Sequence, residues 1–454
     1  MSIIYDLHDT LAEARRLPLF VAADRKRVVA WRDGAAVCAD EFLAHVQAVA
    51  ARLPHAGHAV NLCEDRYAFL VAFCAVLLAG QTNLLPPSRA PHAVDEVMAA
   101  HPGCYALGEQ ELTPPPPGYV RLPSLRGAPD GAPFVVPTLP ATHVAAIGYT
   151  SGSTGQPRPN AKTWGQFAAS TAGNLAMLHR TLREPFHVVA TVPPQHMYGM
   201  EMSVLLPLFG AIGVHAGRPF FPADVARALA AVPAPRVLVT TPVHLRALVH
   251  DEVALPPLAS LVSATAPMPA ELARAAEARF GAPLLEVFGS TETCVFASRR
   301  SAHDANWILY PDVRLHPQPD GTLVEAPQLQ APVTLADIVE LHGDGQFRLC
   351  GRNADLLEIA GKRASLGDLT QRLLAVPGVE DGVVFQLDDG DAIGVRRIAA
   401  LVIAPDLGEA QILDALRRSV DPVFLPRPLR KVAALPRNDT GKLPREAMLA
   451  LLRG

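Results

Sequence analysis

Along most of the chain, apolar runs rich in β-branched residues alternate with Ala- and Leu-rich stretches, a pattern that predicts layered α/β structure. Residues 143–149, 187–192 and 236–241 read as strands. Residues 68–79 and 270–280 read as helices, the second with Pro267 and Pro269 near its start, where proline is tolerated. After about residue 350 the texture changes: 378–387 and 397–404 predict strands and 409–419 a helix. The expected fold class is therefore α/β, with a large N-terminal domain of layered α/β subdomains over residues 1–352 and a small α+β domain over 353–454. No Gly/Ser-rich linker marks the junction, which is placed near 352–355.

Composition narrows the class. Half of the 454 residues are hydrophobic and 19% are charged, enough to fill sizeable cores and too apolar for a mainly disordered chain. The net charge of -4 gives no basic excess for nucleic acid or an anionic membrane, so neither is expected as a partner. The 43 prolines are about twice the usual share and are spread out, as in stiffened loops. Six cysteines form no CxxC pair and no metal-ligand spacing, and the longest apolar run, 68–79, is too short to span a bilayer. The start is not a signal peptide, and a cytoplasmic protein is expected.

Three segments carry candidate chemistry. YTSGSTGQPR at 149–158 follows a predicted strand and puts four hydroxyls and two glycines into 150–155. Glycines admit a ligand close to the backbone, and hydroxyls with free N–H groups suit phosphate oxygens. It is not a Walker loop, and alone it is equally a solvated turn. EVFGSTE at 286–292 sets an aromatic face beside a carboxylate able to hold a hard cation, although a strand-to-turn junction looks much the same. PRNDTGKLPR at 436–445 places Lys442 in a polar turn from which it can reach an anion.

Together these segments resemble the adenylate-forming superfamily of acyl-CoA synthetases, nonribosomal-peptide adenylation domains and luciferases. TSGSTGQP is similar to its phosphate loop, FGSTE to its aromatic-Gly-x-Thr-Glu motif, and GKLPR to its C-terminal lysine motif. Further matches follow in the family's order: LLAG from Leu77 with Leu85-Pro86, PQHMYG from Pro194, SATAP from Ser263, Asp337, and GRNAD from Gly351 followed by Gly361-Lys-Arg. The resemblance implies ATP and Mg²⁺ as cofactors. Thr150, Ser151, Gly152, Ser153, Thr154 and Gly155 would hold the β- and γ-phosphates, and Glu292 the Mg²⁺. Phe288 would lie on the adenine, with Gly289 and Thr291 in the same nucleotide site, while Asp337 and Arg352 would bind the ribose. His196, Ala264, Thr265 and Ala266 would line the acyl pocket, and Lys442 would bridge the acid and the α-phosphate. The C-terminal domain would rotate about a hinge at Asp355, so that one site serves two reactions.

Departures from the pattern qualify this picture. The loop ends Pro157-Arg158-Pro159 where the family has Pro-Lys-Gly, and Lys162 is the alternative source of the ammonium, expected to matter more than Arg158 for the KM of ATP. Glu358 replaces a hinge lysine, and the 45 positions between Glu292 and Asp337 (337 − 292) suggest a trimmed third subdomain. Ala264-Thr265 replaces Gly-Gly, which narrows that wall and suits a flat, short acid. No carrier-domain segment is present, so the acceptor thiol is expected from free CoA or from the phosphopantetheine arm of a separate acyl carrier protein. The compact length and PPQHMYGME at 193–201 look most like stand-alone ligases of aryl-polyene and xanthomonadin-type pigment clusters, which activate a hydroxybenzoate-like acid for a carrier protein. The reading from another class is a catalytically silent homologue that binds nucleotide or acyl ligand. Arg158 and Glu358 favour it and intact Lys442 opposes it.

Overall fold

The computed structural model describes residues 15–22, 24–127, 134–151, 157–183, 185–319, 321–352, 356–359, 362–390, 396–438 and 443–453. Two sheets dominate the N-terminal three quarters. One has eleven strands, with a parallel centre formed by His187–Ala190, Arg236–Thr240, Ser260–Ser263 and Leu284–Ser290. Val237, Leu238 and Val239 show why it is buried on both sides. Alternate side chains enter different cores, Leu238 joining helices Pro222–Ala230, Pro242–His250 and Ala270–Phe280, and its neighbours joining the main core.

The second sheet has six strands and includes the parallel neighbours His58–Asn61, Thr82–Leu85 and Val144–Ser151. Helix Arg66–Leu78 has twelve buried residues, from Arg66 through Leu77, as its near-uniform apolar sequence requires. It starts two residues before the predicted 68, because Asp65 caps it by accepting a hydrogen bond from the Ala68 N–H.

From residue 366 onward a three-stranded sheet, Asp381–Gly390, Arg396–Ile403 and Leu429–Lys431, packs helices on both faces. Val384, Ala400 and Val402 face one core with Leu369 and Ile412, while Phe385, Ala399 and Leu401 face Met448 of helix Arg445–Arg453. Helix 270–280 falls where the sequence placed it, ended by Gly281 at φ 63°. Strand 187–192 is shorter than predicted, closing at Ala190 before the Pro193-Pro194 pair. Among the described residues, no helix is long and apolar enough to cross a membrane.

Candidate active site

Strands His58–Asn61 and Thr82–Leu85 of one sheet and His187–Ala190 and Gly213–His215 of the other lead into one cleft, the position where open α/β sheets bind ligands. The cleft, about 600 Å³, is lined by Glu64, Arg89, Gln195, His196, Arg218 and Asn438, among others. Asn438 comes from the C-terminal sheet unit, the rest from the ends of the two large sheets.

The described parts of the predicted segments have defined places. Strands Val144–Ser151 and Pro157–Thr163 form an antiparallel hairpin in which Arg158 faces Thr150 and Pro157 faces Ser151. Thr150 and Ser151 thus close a strand. Gly152, Ser153, Thr154 and Gly155 lie outside the described residues, as do Asp355 and Lys442. FGSTE sits on a second hairpin, Leu284–Ser290 against Cys294–Arg299. Its turn is tied by the Ser290 N–H donating to Thr293 Oγ1 at 3.1 Å and the Thr293 N–H donating to Ser290 Oγ at 3.2 Å. Gly289 is obligatory here, since a Cβ would stand 2.2 Å from the Cys294 carbonyl oxygen.

Three motifs meet at Gly148. A Cβ built there would lie 3.2 Å from Thr291 Cγ2 and 3.5 Å from Met197 Cε. The strand feeding the phosphate-loop segment therefore touches both the Glu292 turn and the short helix Met197–Met200, whose N-cap is His196. That helix is pinned by the buried Tyr198 hydroxyl, which donates to the carbonyls of Val262 at 2.9 Å and Thr240 at 3.1 Å. Its approach is held by Arg66, which donates to the carbonyls of Ala190 at 2.8 Å and Val192 at 2.9 Å. Burial, reinforced by the nearby Arg218 charge, pulls the Arg66 guanidinium below its ordinary range.

The nucleotide candidates share the large sheet. Phe288 is half-buried, with ring centroids 5.2 Å from both Phe296 and Trp307, so it is held in an aromatic cluster. Asp337 and Arg352 are direct cross-strand partners in Asp337–His342 against Gln346–Arg352. Ala264 is buried and precedes Thr265, whose φ of 81° is strained for a β-branched residue. The Thr265 hydroxyl is buried and has no hydrogen-bond partner among the described residues.

Glu292 is half-buried and makes no ion pair among the described residues, which fits Mg²⁺, a cation usually held by one or two carboxylates plus substrate phosphates. Cys294 behaves as a core residue: it is fully buried, and burial pushes its thiol up.

Lys162 is only 4% exposed, and its ammonium donates to the Glu292 carbonyl. The exposed cation on the hairpin is Arg158. Sequence reasoning missed Arg66, Arg89, Arg218 and Glu201. Only Glu201, a lone carboxylate inside an apolar run, carried a local signal.

Residues 21–322 match the AMP-binding enzyme family. The chain belongs to that family. It is 32% identical over 303 residues to a 4-coumarate–CoA ligase of Rhodobacter capsulatus, a match covering 65% of this chain and 74% of that one. It is 27% identical over 385 residues to a sulfoacetate–CoA ligase of Cupriavidus necator, covering 72% and 73%. Among solved structures, the o-succinylbenzoate CoA synthetase of Bacillus subtilis with its acyl-adenylate superposes with a TM-score of 0.79 at 16% identity, covering 96% of this chain and 98% of that one. The family's fold therefore extends through the C-terminal unit as well as through the matched residues.

Proposed function

We propose that this AMP-forming acid–thiol ligase activates an aryl carboxylic acid, such as a hydroxybenzoate, and passes it to the phosphopantetheine thiol of a separate acyl carrier protein. The observation that carries the adenylating reading is the meeting of the phosphate-loop strand, the Glu292 turn and the His196 helix at Gly148. The aryl reading is supported by the Ala264-Thr265 wall and by the coumarate ligase relative. The relatives named as CoA ligases favour a second reading, with free CoA as acceptor.

The chemical obstacle is bringing a carboxylate against the α-phosphate of a polyanion. Positioned cations offset both the ground-state repulsion and the charge that develops as the acid attacks and pyrophosphate leaves. Mg²⁺, when bound, supplies charge neutralisation at the phosphates. In this reading Glu292 holds that ion, residues 150–155 cradle the β- and γ-phosphates, and Phe288 supports the adenine beside Gly289 and Thr291. Asp337 and Arg352, facing each other across two strands, take the ribose. Lys442 bridges acid and α-phosphate. His196 stands with Ala264, Thr265 and Ala266 at the acyl site, and residues 353–454 turn about Asp355 for thiol transfer.

The test is acid-dependent ATP–pyrophosphate exchange across hydroxybenzoates, cinnamates, and short and long fatty acids. Exchange is expected with the aryl acids only. Preference for aliphatic acids keeps the adenylating chemistry and overturns the aryl assignment; exchange with none of them supports a silent homologue. Transfer assays with CoA and with a phosphopantetheine-bearing, unacylated carrier protein then separate the two acceptors.

A further inference from the structure

We propose that Lys162 is a positioning residue whose buried ammonium straps the phosphate-loop hairpin to the backbone of Glu292, fixing that carboxylate relative to the triphosphate. The inference rests on the nucleotide-site reading above. Lys162 lies on the strand that leaves the loop, with Ala146 as its cross-strand partner, and the register shifts between it and Thr163. Its ammonium is buried and reaches the Glu292 carbonyl 130 positions away. Burying an ammonium is costly unless it is hydrogen-bonded and its charge is answered. The fully buried Glu201 lies near enough for the Lys162 charge to favour its ionised form, although burial pushes that carboxyl above its ordinary range.

Glu201 in turn holds the far side of the same turn. Its carboxylate accepts the Val295 N–H at 3.0 and 3.1 Å, Asn174 Nδ2 at 3.2 Å, and the Ser170 hydroxyl. Gln328 Nε2 donates to the Thr293 carbonyl at 3.1 Å. The backbone from Glu292 to Val295 is thus held by the hairpin through Lys162, by Gln328, and by Glu201 of the π-helical turn Glu201–Leu205, which directly follows the His196 helix and is itself bonded by Ser170 and Asn174 of helix Trp164–Leu178. Such turns are often found at functional sites. One buried polar network therefore joins all three motifs, and Lys162 is its link to the phosphate loop.

Calorimetric titration of wild type, Lys162→Met and Lys162→Arg with ATP, with and without Mg²⁺, and with AMP tests this. AMP lacks the β- and γ-phosphates, so it reports the adenine and ribose contacts alone. For Lys162→Met the Kd of Mg·ATP is expected to rise about tenfold or more, with the Kd of AMP within about twofold of wild type. Lys162→Arg keeps the buried charge and moves the donor, so an intermediate loss confined to Mg·ATP is expected. Equal weakening of Mg·ATP and AMP would mean a general structural role and overturn the proposal, as would unchanged Mg·ATP affinity. If Lys162→Met does not fold, Lys162→Arg decides on the same criteria. Wild type that binds no Mg·ATP would instead overturn the nucleotide-site reading itself.

Discussion

Lys442→Ala is expected to lower acid-dependent ATP–pyrophosphate exchange by about 10²–10³-fold, the usual cost of removing one preorganised stabiliser of developing charge. Thiol transfer from a supplied acyl-adenylate is expected to stay within a few-fold of wild type. The split follows from where charge is handled. Adenylation must hold a carboxylate against a polyanion, and an ammonium between them serves only that step. Transfer starts from an adenylate already formed and loses AMP, so it makes no such demand. Lys442 lies outside the described residues, but Asn438, four positions before it, lines the cleft with Gln195 and His196. Single-turnover assays of the two half-reactions check the prediction. Loss of both steps in parallel would indicate a structural lysine, and unchanged exchange would remove it from the mechanism.

Much of this site was legible because its residues are local in sequence. Phe288, Gly289, Thr291 and Glu292 occupy one hairpin end, so a short string names them together. Asp337 and Arg352 were placed separately, and the antiparallel register makes them partners. The supporting residues were not legible, for a physical reason. In sequence Lys162 is a lysine in a polar stretch, which ordinarily means a solvated surface. A shift of register beside it accompanies the buried contact with a carbonyl 130 positions away. Arg66 stands two positions before the predicted helix, yet it is fully buried against carbonyls from 124 and 126 positions later. Alternation and spacing report which face a residue occupies. They do not report which distant backbone that face meets.

Asp381→Asn is expected to reduce exchange by about 10–100-fold, the scale set by charge-assisted hydrogen bonds of roughly 1.5–3 kcal/mol. Asp381 opens the first strand of the C-terminal sheet and is buried between two guanidiniums. Arg437 donates to it from Nε at 3.1 Å and from its terminal nitrogen at 2.8 Å. Arg246, on helix Pro242–His250 of the large unit, lies 3.0 Å away. Asp381 thus ties the segment leading to Asn438 and Lys442 to its own sheet, and ties that sheet to helix Pro242–His250 of the large unit. Asp381→Asn keeps the shape but removes the negative charge that both guanidiniums share, and deleting one partner of a buried pair costs more than the pair is worth. Arg246→Met separates the two functions, since it breaks only the tie between units. It is expected to slow adenylation several-fold while leaving the melting temperature near wild type and transfer from a supplied adenylate intact, because a rotated C-terminal unit would not use that contact. Equal loss of both half-reactions in Arg246→Met would show that this pair does not belong to one arrangement of the two units.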